Sequence, residues 1–183
     1  MLQYKIFRMF NQEQTEKILK EVFGEEILVF KHNLVAIPYD YGKKGYKYVL
    51  EKVKELEVKQ LIITPMNFLK MLEFAIINNN YINNITFIDS IPGEEKEFIE
   101  DYKQRLNKTE KIEEKQLIME KLSKELEWLT FDESIDMKSI GLRCKSNNTP
   151  LKFDLELYNN GVLLIDDISI IDQAKELITY INE

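Results

Sequence analysis

A chain of 183 residues with 44% apolar and 31% charged side chains and a net charge of −7 is long enough for one large or two small folded units and apolar enough to fill a core. One histidine, His32, and one cysteine, Cys144, exclude a Cys/His structural zinc site and leave any histidine-based catalytic dyad or triad to His32 alone. Positions 1–93 carry 12 basic and 11 acidic side chains and positions 94–183 carry 13 and 21, so affinity for polyanions is expected only from the first half and nucleic acid is disfavoured as a partner.

Met1 to Phe10 mixes charged and apolar residues, and no stretch reaches the ~18 apolar residues of a membrane span. Neither an export signal nor a transmembrane segment is therefore expected. A lone cysteine cannot form an internal disulfide, which favours a cytoplasmic setting. Arg8, Arg105 and Arg143 are the only arginines among 25 basic residues, a sign of AT-rich coding that suits a protein from a mobile element or phage of a low-GC bacterium.

In chain order, Gln3 to Phe10 reads as a strand, and Asn11 is placed to cap a helix that carries Ile18, Leu19, Val22 and Phe23 on one face and stops at Gly24. Ile27 to Phe30 and Leu34 to Ile37 are short apolar runs joined through Lys31-His32-Asn33, the spacing of a hairpin. A βαβαβ alternation follows: a helix over 44–56, a strand at Leu61 to Thr64, a helix over 66–79 opened by Pro65, and a strand at Ile85 to Asp89. Nearly continuous apolar strands between amphipathic helices are what a helix-covered parallel sheet requires.

Residues 94–129 are polar and helical, and a shift of phase in their apolar positions divides them into two helices. Asn107 followed by Glu110 has the form of a capping box, which sets the second start near Lys108. Strands are expected over 139–145, 151–158 and 162–165, with Asn159-Asn160-Gly161 supplying an Asn-Gly turn, and a helix over 170–181 closes the chain. The fold class is thus α/β, mixed α+β: an N-terminal βαβαβ-like sheet with covering helices, then helices and an antiparallel three-strand meander closed by a helix. The change of pattern at Pro92-Gly93 divides lobes 1–93 and 94–183, which could also form one compact domain.

Three places could carry chemistry. Gly42, Lys43, Lys44, Gly45 and Lys47 lie between a strand and a helix, where free helix N–H groups and lysines could hold the phosphate of a nucleotide, although the spacing matches neither the P-loop nor GxGxxG. Asp154, Glu156, Asp166 and Asp167 cluster across a hairpin and are weak candidates for the Mg²⁺ or Mn²⁺ of a nuclease. Their alternation with Phe153, Leu155 and Leu157 is also that of an ordinary half-buried strand. In the helix over 108–129, Ile112, Met119, Leu122, Leu126, Trp128 and Leu129 form a wide apolar stripe that faces either the chain's own core or a protein partner. His32 falls in a turn with no second histidine to join it, and Cys144 shares a strand face with Ile140 and Leu142, the position of a buried small hydrophobe. The leading expectation is a non-catalytic regulatory protein that binds another protein or a second copy of itself, with no cofactor and no membrane. A phosphate-ligand-binding protein comes second and a metal-dependent nuclease third.

Overall fold

The computed structural model describes residues 1–40, 42, 45–146 and 149–183. Its elements are β1 (Leu2–Met9), α1 (Gln12–Phe23), β2 (Leu28–Phe30), β3 (Leu34–Pro38), α2 (Tyr46–Val53), β4 (Val58–Gln60), α3 (Pro65–Ile77), β5 (Tyr81–Phe87), α4 (Gly93–Lys108), α5 (Ile112–Phe131), β6 (Met137–Lys145), β7 (Lys152–Tyr158), β8 (Val162–Ile165), a 3₁₀ turn (Ile168–Ile170) and α6 (Ile171–Ile181). The fold is mixed α+β. One eight-stranded sheet runs β2-β3-β1-β8-β7-β6-β5, with β4 paired to the C-terminal part of β1.

Helices and strands alternate through the first half as expected, and the C-terminal meander and closing helix are present. The parallel pairing is not: every strand pairing among the described residues is antiparallel. The two strands flanking α3 are not neighbours, since β4 pairs with β1 and β5 with β6. A continuous apolar run reports burial on both faces, and burial carries no information about strand direction. In β3, Leu34 and Ala36 enter a large core with residues of α3 and α6, whereas Val35 and Ile37 enter a smaller one with Leu19, Phe23, Val49 and Val53 of α1 and α2. Towards β5 the two faces differ in burial. There Ile140, Leu142, Leu155 and Leu157 are buried, and Arg143, Asp154 and Glu156 alternate with them.

Several boundaries differ for local reasons. The strand expected over 61–64 forms at Val58–Gln60, but the chain stays extended, and the amides of Leu61 and Ile63 donate to the carbonyls of Ile6 and Asn159. Thr64 then caps α3: its Oγ1 accepts from the Asn67 amide while Asn67 Oδ1 accepts from the Thr64 amide, with Pro65 in the first turn. The capping box at Asn107 does not exist. α4 runs on through Lys108, α5 begins at Ile112, and the Asn107 amide binds both the N–H and the C=O of Ile82 at 2.9 and 2.8 Å. β1 pairs with β8 and so carries the sheet across the 92–93 boundary. The turn into β8 needs Gly161, whose φ is +76° and whose Cβ would come within 2.3 Å of the Leu61 carbonyl oxygen. Among the described residues no helix is long and apolar enough to cross a membrane.

Candidate functional site

Four separate stretches of chain meet at one end of the sheet around a cleft of about 720 Å³. Gly24, at φ +83°, ends α1 just after Phe23 and sends the chain through exposed Glu25 and Glu26 into β2. The start of β1 supplies Leu2 and Tyr4, the end of β3 supplies Pro38 to Asp40, and the approach to α6 supplies Ile168 and Ile171. Asp167 accepts from the Ser169 amide at 2.9 Å, a bond that holds its carboxyl below the ordinary carboxylate range and starts the 3₁₀ turn. Ile168 stands 72% exposed on that turn, and Leu2, which also lines the cleft, is 36% exposed.

The lining of the cleft combines apolar and acidic side chains. Glu25, Glu26 and Asp40 line it together with Met1, none of the three carboxylates is in an ion pair among the described residues, and no lysine or arginine among the described residues lines it. Asp40 Oδ1 accepts from the Gly42 amide at 2.7 Å. Burial, with a further push from Glu26, raises the pKa of the Tyr4 phenol, so Tyr4 stays neutral beside these carboxylates. Such a site suits a ligand that combines apolar surface with positive charge.

The residues singled out from the sequence are placed elsewhere. Lys43 and Lys44 lie outside the described residues. Gly45 is the N-cap of α2 and Lys47 is exposed in its first turn, with Gly42 held by Asp40. Of the four carboxylates, Asp154, Glu156 and Asp167 have separate partners. Asp154 is held by Arg143 in a two-pronged ion pair at 2.7 and 3.1 Å, and Glu156 accepts from Ser139 Oγ at 2.7 Å and from Asn84 Nδ2 at 3.3 Å. Asp166 stands opposite Asp154, Asp167 caps the 3₁₀ turn, and no metal-binding group of three or more such ligands exists among the described residues.

On α5, Met119, Leu122, Leu126 and Leu129 are buried in the chain's own core, so the sequence stripe divides. Ile112 and Trp128 remain on the surface, and Leu117 and Phe131 join them there. His32 is exposed in the β2–β3 turn at φ 59°. Cys144 is 1% exposed, and burial, then the charge of Asp154, pushes its thiol pKa up to about 12, which keeps it protonated.

Sequence reasoning missed the cleft because its walls come from four distant segments, each ordinary by itself. The one local signal was the pair of acids after Gly24, next to an apolar run. The chain matches no protein-family model, no curated protein and no solved structure.

Proposed function

We propose that the protein is a non-catalytic, regulatory binding protein whose cleft takes an apolar, basic segment of a partner protein. The observation that carries this reading is the set of three carboxylates, Glu25, Glu26 and Asp40, that are in no ion pair among the described residues and share the cleft with exposed Leu2 and Ile168. Apolar surface at the centre supplies the affinity of an interface, at about 25 cal/mol per Å² removed from water, and a rim of one charge sign selects and steers the partner. The reading includes a cytoplasmic setting, which the single buried thiol supports, and an origin in a mobile element or phage, which only the AT-rich composition supports. The outer face of α5, with Leu117, Trp128 and Phe131 exposed, supports a further contact to a second copy of the chain. Sedimentation as a monomer at every concentration would remove that second copy.

The test is fluorescence anisotropy with a labelled peptide of alternating leucine and lysine. The E25Q/E26Q/D40N variant is expected to bind it at least about tenfold more weakly than wild type, since close charge pairs at interfaces contribute on that scale. The variant E94Q/E97Q/E113Q removes equal charge outside the cleft and is expected to bind as wild type does. Equal loss in both variants would reduce the effect to net charge and remove the cleft as the site.

A further inference from the structure

A second cavity, of about 370 Å³, lies where the exit of α3, the turn between α4 and α5, and the paired strands β6 and β7 come together. Its wall includes Asn79, Asn80, Lys108, Lys115, Lys145 and Lys152, with Glu110 the one carboxylate. All four lysines belong to the acidic half of the chain, where the charge count predicts no affinity for anions. A count averages over the whole surface, whereas a local field is set by which side chains converge.

Two features of this wall are incomplete without an anion. Lys115 is only 7% exposed, and its ammonium donates to Asn79 Oδ1 at 2.9 Å. No carboxylate pairs with it among the described residues. A buried cation is ordinarily compensated by a counter-charge, and among the described residues this ammonium has a single neutral amide oxygen as its hydrogen-bond partner. Beside it, the Asn80 side-chain nitrogen is buried with no acceptor. Buried donors nearly always find a partner, so this one marks a place where an acceptor belongs. Lys152 Nζ rests 3.7 Å above the Tyr81 ring at the same wall, with no acid in an ion pair among the described residues.

We propose that this cavity binds the phosphate group of a small ligand. The donors stand on different walls: Asn80 just after α3, Lys115 on α5, Lys145 on β6 and Lys152 at the start of β7. A planar carboxylate presents two oxygens in one plane, whereas a phosphate presents three acceptor oxygens in a tetrahedral spread and close to two negative charges near neutral pH. In the bound state the phosphate oxygens accept from Lys115 and Asn80, and the exposed lysines neutralise the remaining charge.

The test is isothermal titration calorimetry of the whole protein with inorganic phosphate, pyrophosphate, glycerol 3-phosphate and malonate. Saturable one-to-one binding of a phosphate probe below about 1 mM is expected, with malonate at least about tenfold weaker. Tighter binding of the monoester would assign an organic phosphate, and tighter binding of the inorganic probes would assign free phosphate or pyrophosphate. Either result supports the site. Lys115→Met is expected to abolish binding. Because that residue is buried, the exposed pair K145Q/K152Q provides a variant that leaves the core intact, expected to weaken binding about tenfold. Absence of saturable binding by every phosphate probe, equal binding of malonate, or unchanged affinity in both variants would overturn the proposal.

Discussion

Lys5 and Lys115 are both buried, at 2% and 7% exposure, and their surroundings differ. Lys5 donates to the Asn160 carbonyl and lies 5.5 Å from the centre of the Tyr46 ring, so its charge is met by a dipole and a π face. Burial lowers its pKa from the ordinary 10.5. A lysine whose folded pKa lies below its unfolded one binds its proton more tightly in the unfolded chain, so it costs stability at neutral pH and that cost is relieved as pH rises towards the unfolded value. Wild type is therefore expected to gain stability relative to Lys5→Met as pH rises through the alkaline range to 10.5, measured by urea unfolding of both proteins. A constant difference across that range would show that Lys5 keeps its ordinary affinity for the proton. The alternation of β1 placed Lys5 on the same face as Phe7. That this face is covered by Tyr46 of α2 is a tertiary fact with no trace in the local pattern, and the same holds for the anion-poor surroundings of Lys115.

At the scale of elements, amphipathic periodicity located nearly every helix, and failures came where a polar side chain was assigned a local partner but took a distant one. Asn107 has the spacing of a helix cap, yet its amide pairs with Ile82 of β5, the last strand of the sheet. An edge strand presents unpaired N–H and C=O groups that invite other chains, and Asn107 closes one such pair from the side. Asn107→Ala is expected to cost about 2 kcal/mol for the two lost bonds, partly offset by the better helix propensity of alanine. Hydrogen exchange at the Ile82 amide should accelerate with it. An unchanged exchange rate would mean that this edge is protected by something other than Asn107. On α5 the apolar stripe was legible and its two uses were not. Buried Met119, Leu122, Leu126 and Leu129 and exposed Trp128 look alike in sequence, and only the packing of α3 and α4 against the helix separates them.

The whole molecule turns on β1, which pairs with β3 on one side and with β8 and then β4 on the other. Pairing a strand at residues 2–5 with one at 162–165 closes nearly the entire chain into a loop, an entropic cost that must be met before the contacts it permits are gained. Strand order was beyond the reach of sequence because local patterns report each strand's faces and not its neighbours. The cleft shares that origin, since Leu2 of β1 and Ile168, which both line it, are brought to the same end of the sheet by the pairing of β1 with β8. The large core has the same dependence, drawing on Tyr4 and Ile6 as well as on Leu163, Leu177 and Ile181. A chain cut to residues 1–93 would expose the β8 side of β1 and lose the C-terminal half of that core, while keeping the smaller core of α1 and α2. It is expected to unfold in urea without a cooperative transition, as followed by far-ultraviolet circular dichroism, and to regain one on addition of residues 94–183. A sharp transition for 1–93 alone would show instead that β1, β3 and the smaller core suffice as a folding unit, with the meander docked on it as a second lobe.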